Sequence, residues 1–258
     1  MKLHKISLLA ILFFAGGLLL AQDDYRINAA NKTIEFRGLN KLNLEGVAGN
    51  EMIVGGRTSN GERDERARGL RKISASGRQD NTGFGIAVSE EDGKIIVEQV
   101  GSENSRVTIQ VPNSATVKVT HNTQYGSKIK VKDFSGELDI SLSYNSVELE
   151  NTTGPIAVNT IYGTIVAKYA QEPTNDIRLH STYSDVDLSI PAATKANVQL
   201  STSYGSMYTA FDINVKSNLS SNDCGGCGTG DLRGTINGGS DNLISITATY
   251  DNIYLREN

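Results

Sequence analysis

Gln124-Tyr125-Gly126-Ser127 is the first of six matching phrases. It is followed by Ser143-Tyr144-Asn145-Ser146, Ile161-Tyr162-Gly163-Thr164, Thr182-Tyr183-Ser184-Asp185, Ser203-Tyr204-Gly205-Ser206 and Thr249-Tyr250-Asp251-Asn252. The tyrosines stand 19, 18, 21 and 21 residues apart, and the last gap of 46 is close to two further periods. A fixed period of about twenty residues marks a chain that coils on itself, one supersecondary unit per turn.

Apolar residues flank each phrase in steps of two. Six and four residues before the Tyr stand Val119 and His121, Leu138 and Ile140, Ile156 and Val158, Ile177 and Leu179, Val198 and Leu200, Ile244 and Ile246. After it come Ile129 and Val131, Val147 and Leu149, Ile165 and Ala167, Val186 and Leu188, Met207 and Thr209, Ile253 and Leu255. All but His121 and Thr209 are apolar, and this alternation is that of a strand with one buried face. Each period therefore holds two short strands and a corner. The predicted fold is all-β: a single-stranded parallel β-solenoid (β-helix) with about 20 residues per coil, right-handed as parallel crossovers generally are. Regular coils are expected over 116–258, with 22–115 supplying the first coils and an irregular N-terminal cap. Strand-like pieces there begin at Tyr25, Thr33, Leu42, Met52, Phe84, Lys94 and Arg106, and Pro112 stops the last of them.

Counting by twos from the first strand of each coil places the Tyr on the buried face. The small residue after it suits a turn or a positive φ. Tyr125, Tyr144, Tyr162, Tyr183, Tyr204 and Tyr250 are thus expected to form a structural ladder inside the corners. Their phenols would lie beside the mostly small or hydroxylated residues two positions earlier, Thr123, Leu142, Thr160, Ser181, Thr202 and Ala248. The rival reading is an exposed aromatic face for sugars.

With 25 basic and 29 acidic residues and a net charge of −4, the chain lacks the electrostatic footprint of a nucleic-acid partner. Met1 to Lys5 is basic, Ile6 to Leu20 is apolar and Ala21 is small, the layout of a signal peptide over 1–21. The mature chain is expected to be exported, without a transmembrane anchor. Cys224 and Cys227 stand in a glycine-rich stretch of a projecting loop, 212–241. One CxxC can be a redox centre, half a zinc site or a local disulfide; in an exported chain the disulfide is the expectation. The charged segment from Asn60 to Ile73 reads as a solvated loop or short helix crossing the coil, with an anion- or glycan-binding basic loop as the alternative.

The acidic candidates are Asp133, Asp139, Glu148, Asp185 and Asp187; by parity Glu148 and Asp187 point outward, but they occupy alternate coils without an evident partner for a carboxylate pair. His121 occupies a core position and reads as a hydrogen-bonded core residue rather than a base. No catalytic, metal or cofactor residues are assigned.

The opening Leu42-Asn43-Leu44-Glu45-Gly46-Val47, the strand Val107-Thr108-Ile109-Gln110-Val111-Pro112 and the Tyr-Gly-Ser/Thr phrases resemble the putative-adhesin β-strand-repeat family of exported bacterial proteins. The resemblance runs from Leu42 to Leu255. It implies a single β-solenoid and an adhesive role at the cell envelope, and it carries over no catalytic residues. The function expected is a non-enzymatic envelope adhesin binding a surface, a glycan or a cell-surface protein. The alternatives are a structural or self-assembly module and, after it, a carbohydrate-active β-helix enzyme.

Overall fold

The computed structural model describes residues 24–57, 66, 70, 72–101, 106–216 and 230–258. The signal-like segment, most of the charged stretch from 60 to 73, and Cys224 with Cys227 lie outside the described residues, as does the expected disulfide.

The elements in chain order are β1 Tyr25–Asn28, β2 Thr33–Arg37, β3 Leu42–Val47, β4 Glu51–Arg57, β5 Ile86–Glu91, β6 Lys94–Gln99 and β7 Arg106–Pro112. They continue with β8 Thr116–His121, β9 Lys128–Lys132, β10 Leu138–Leu142, β11 Ser146–Glu150, β12 Ile156–Thr160, β13 Ile165–Lys168, β14 Ile177–Ser181 and β15 Val186–Ile190. The last are β16 Ala196–Thr202, β17 Met207–Thr209, β18 Asn214–Val215, β19 Gly230–Ile236, β20 Leu243–Ala248 and β21 Ile253–Glu257. They form two sheets, a ten-stranded one ordered β1-β4-β7-β3-β9-β11-β13-β15-β21-β17 and an eleven-stranded one ordered β18-β19-β16-β20-β14-β12-β10-β8-β2-β6-β5.

Through the middle, each tier gives one strand to each sheet and pairs in parallel with the tiers on either side. Leu138 faces Val117 and Ile156, and Ile156 faces Ile177, which faces Ile244. In the other sheet Val147, Ile165, Val186 and Ile253 line up in the same way. Register is tightly specified here because a slip of one residue would turn every apolar side chain to water. The two seams meet in one continuous buried core.

The pairing is not parallel throughout, and the expectation of a single parallel coil is corrected to an all-β fold of two mixed sheets. At one end β5 runs antiparallel to β6, and β4 antiparallel to β7 and β1. At the other, β19 runs antiparallel to β16 and β18. The open backbone of a terminal parallel tier would recruit other chains, and the reversed strands cover it at every end except β17 of the ten-stranded sheet. Residues 212–241 are therefore not simply a loop: they contain the two strands that cap the eleven-stranded sheet.

The tiers also depart from chain order at both ends. The β2/β3 tier lies between β6/β7 and β8/β9, and the β20/β21 tier lies between β14/β15 and β16/β17. The 46-residue gap before Tyr250 is thus a return of the chain into the stack rather than two successive turns at its end.

Val186 is fully buried, while Lys130 points outward and pairs with Glu148 at 2.8 Å. Val186→Asp should lower the urea-unfolding free energy by roughly 3–5 kcal/mol by burying a lone charge. Lys130→Asp should cost about 1 kcal/mol or less. Equal losses would contradict the assigned faces.

Candidate functional site: an exposed tyrosine stack

The strand before each corner ends on a buried residue, after which the chain bends sharply. The hydroxyls at this position bond the corner backbone, not a phenol. Thr160 Oγ1 donates to the Gly163 carbonyl at 2.6 Å and Ser181 Oγ to the same carbonyl at 3.3 Å. Thr202 Oγ1 donates to the Asp251 carbonyl at 3.3 Å and accepts from the Gly205 N–H at 3.0 Å. Backbone bonding between tiers continues through the Tyr itself. Tyr162 N–H donates to Ser143 O, Tyr183 to Ile161 O, Tyr250 to Thr182 O and Tyr204 to Thr249 O, at 2.8–3.0 Å. Each aromatic residue is thereby pinned above its neighbour.

The glycine after the Tyr answers to a close approach rather than to a left-handed backbone. Neither Gly163 nor Gly205 has a positive φ. A Cβ at Gly163 would sit 1.8 Å from Asn145 O of the adjacent corner, and one at Gly205 would sit 1.9 Å from Asp251 O. Backbone cannot yield there, so these two corners, which pass directly against Asn145 and Asp251 of the adjacent tiers, need glycine.

Because the chain turns immediately before the Tyr, the alternation breaks and the side chain swings outward. The inward assignment is overturned: Tyr144, Tyr162, Tyr183 and Tyr250 are 46–52% exposed and Tyr204 is 71% exposed. The rings stack on the outside in the order Tyr144, Tyr162, Tyr183, Tyr250, Tyr204. Their centroid separations are 5.2, 5.0, 4.7 and 4.7 Å, with interplanar angles of 15, 9, 11 and 3°. Tyr250 stands between Tyr183 and Tyr204 because its tier is inserted there.

Tyr125 lies outside the stack. Strand register aligns Val117 with Leu138 and His121 with Leu142, so its phrase is displaced by two residues from the others. Its corner is also longer, running from His121 at the end of β8 to Lys128 at the start of β9, where the next tier passes from Leu142 to Ser146.

Beside the stack, the outer face of the eleven-stranded sheet carries polar rows. One row, three residues before each Tyr, contains Ser141, Asn159, His180, Thr247 and Ser201 in register. Where Ala157 lies between Asp139 and Arg178, the face dips into a shallow depression of about 210 Å³, bordered by Asn159, His180, Ser245 and Thr247. Arg178 pairs there with Asp176 at 2.8 Å. The regular spacing of this row is visible in the sequence, but its significance depends on the outward Tyr beside it.

The acidic candidates do not converge. Glu148 lies between Lys128 and Lys130, whose ammonium groups hold its carboxyl below the usual range. Asp187 takes a forked bond from Arg256 Nε at 2.9 and 3.0 Å, and Arg256 also lies 5.0 Å over the Tyr254 ring, which stacks on Tyr208 at 5.2 Å. Asp133 accepts from Asn151 at 3.3 Å, and Asp139 faces outward on β10. Asp185 approaches Asp251, whose pKa is raised by burial and then by the Asp185 carboxyl. Neither this second stack nor the closeness of Asp185 to Asp251 has a signature in the sequence, because both depend on the insertion of the β20/β21 tier.

Residues 137–246 match the family model described as Toastrack DUF4097. The matched span covers β10 to most of β20, including four of the five stacked tyrosines, and agrees with the family resemblance read from the repeats. Two solved structures are also similar. A putative cell adhesion protein from Clostridium sporogenes ATCC 15579 is 14% identical, with 92% of this chain and 99% of that chain covered and a TM-score of 0.44. A putative adhesin from Bacteroides fragilis NCTC 9343 is 11% identical, with 90% and 95% covered and a TM-score of 0.31. No curated protein matches. Among the described residues no helix is long and apolar enough to cross a membrane.

His121 stands at the inner end of β8, 2% exposed, with Nε2 bonded to Asn40 Oδ1 at 3.1 Å and more weakly to Thr123 at 3.4 Å. Burial lowers its pKa from 6.5, opposed in part by the Asn145 side chain. The unfolded chain therefore takes up this proton before the folded one does. Unfolding free energy should be fully retained above pH 6.5 and fall as the pH drops toward the lowered folded value. Urea midpoints measured from pH 7 to pH 5 should show this fall, and His121→Asn should flatten it.

Proposed function

We propose that the chain is a non-enzymatic, exported β-solenoid of the cell envelope that adheres to an extended glycan. The contact surface is the tyrosine stack together with the adjoining outer face of the eleven-stranded sheet. The observation that carries this reading is the run of five exposed tyrosines held in register beside rows of hydroxyl, amide and imidazole groups. The stacked rings cover one another's faces, so a ligand meets ring edges and phenol hydroxyls. Asn159, His180, Ser245 and Thr247 add hydrogen-bonding groups around the floor at Ala157. A polymer with a repeating unit can make such contacts on several tiers at once, which raises avidity without a deep pocket. The signal-like layout of Met1 to Ala21 supports export. The solenoid is taken to be right-handed, with its first and last coils tucked one tier inward.

A self-assembly role draws its support from β17. This three-residue strand is outermost in the ten-stranded sheet and pairs only with β21 among the described strands. An enzymatic role has less support, because Glu148 and Asp187 are each engaged by cations.

On a glycan array the exported chain should bind a subset of extended polysaccharides. The double variant Tyr162→Ala/Tyr183→Ala should weaken that binding about tenfold, a typical worth of about 1.4 kcal/mol for two aromatic contacts. Tyr125→Ala should leave it unchanged. Undiminished binding by the double variant would refute the assigned surface, and concentration-dependent oligomers without glycan binding would favour self-assembly.

A further inference from the structure

We propose that the stacked tyrosines are an oxidative modification site. A one-electron oxidant of the haem-peroxidase class, driven by hydrogen peroxide, would join neighbouring rings of the same chain as dityrosine. The inference is independent of what the surface binds.

Phenol coupling needs three things that few tyrosine pairs combine: access for the oxidant, a second phenol in contact, and a backbone that keeps the two together for the lifetime of a radical. Each of the five rings is at least 46% exposed. Neighbouring centroids are 4.7–5.2 Å apart and the planes lie within 15° of parallel. Hydrogen bonds between tiers pass through the Tyr N–H groups themselves, so the pairs stay aligned. Such alignment turns a bimolecular encounter into an intramolecular one, with a correspondingly high effective concentration. Tyr125 has access but no stacked neighbour among the described residues, and Tyr169 is 1% exposed with its phenol 3.3 Å from Thr152 Oγ1.

In the reaction, two neighbouring phenols each lose one electron and one proton to the oxidant. A carbon–carbon bond then forms between ring carbons ortho to the two oxygens. The hydrogens on those carbons move as protons to the oxygens, and both rings regain aromaticity. Hydrogen peroxide takes up the two electrons and two protons and leaves as two waters. The net change in the chain is the loss of two hydrogen atoms for each link.

Links at Tyr183–Tyr250 and Tyr250–Tyr204 have a particular consequence. They would fasten the inserted β20/β21 tier covalently to the tiers on both sides of it. Cross-links that close long loops restrict the unfolded chain, so the oxidised protein should melt at a higher temperature.

The test treats the purified exported chain with a haem peroxidase and hydrogen peroxide at fixed concentrations. Dityrosine fluorescence is followed and the linked peptides are mapped by mass spectrometry. The proposal expects intrachain links between successive members of the order Tyr144, Tyr162, Tyr183, Tyr250, Tyr204, and at the smaller stack between Tyr208 and Tyr254. The fraction linked per unit time should not change when the protein is diluted tenfold. Tyr162→Phe keeps the ring but lacks the phenol, so it should abolish links to Tyr144 and spare Tyr183–Tyr250. Three results would overturn the proposal: no dityrosine, links that are mainly between chains and slow on dilution, or intrachain links that use Tyr125 as often as the stacked five.

Discussion

Parallel backbone hydrogen bonding between successive tiers, in register and at strand spacing of about 4.8 Å, is the constraint from which the other features follow. It aligns Val147, Ile165, Val186 and Ile253 into one seam and Leu138, Ile156, Ile177 and Ile244 into the other. It brings corner backbones so close that Gly163 and Gly205 have no room for a Cβ. It also carries the outward tyrosines into contact, since residues repeated at one place per tier recur at the tier spacing. Centroid separations of 4.7–5.2 Å with near-parallel planes fall in the offset-stacked range that aromatic pairs favour, so the tier spacing and the ring preference agree.

A stack held by nearest-neighbour contacts is weakest at its ends, where a tier has only one neighbour and an open edge. Among the described strands, this protein deals with both problems everywhere but at the short β17 edge. The antiparallel strands β5, β4 and β1 cover one end, and β19 with β18 covers the eleven-stranded sheet at the other. The tiers nearest the two chain termini, β2/β3 and β20/β21, are each inserted one place inward and gain neighbours on both sides. The segments that would otherwise fray are thereby built into the interior of the stack. The insertion also lengthens the aromatic surface, because Tyr250 fills the place between Tyr183 and Tyr204.

Much of this was legible in the sequence. Alternation around each phrase gave the strand pairs and the buried faces, since a two-residue period with one wet face leaves little choice. The tyrosines were misplaced because counting by twos assumes an extended chain, and the bend falls at the residue before the Tyr. Tyr125 shares the local phrase of the others, but its longer corner takes it out of line, a difference visible only in the strand register. The return of β20/β21 into the stack was hidden for another reason. A gap of 46 residues fits two added turns as well as one excursion and a return. The polar row through Asn159 and His180 acquires meaning only once the neighbouring tyrosines face outward.

The inserted C-terminal tier is the part of this architecture on which the continuous tyrosine surface most depends. Hydrogen–deuterium exchange of the backbone amides from Leu243 to Leu255 tests it directly. Strands hydrogen-bonded on both sides, as β20 and β21 are, should show protection comparable to that of β12 to β15 despite their place at the end of the chain. Exchange as rapid as that of a frayed terminus would show that the last tier is not held between its neighbours, and the unbroken stack would not exist.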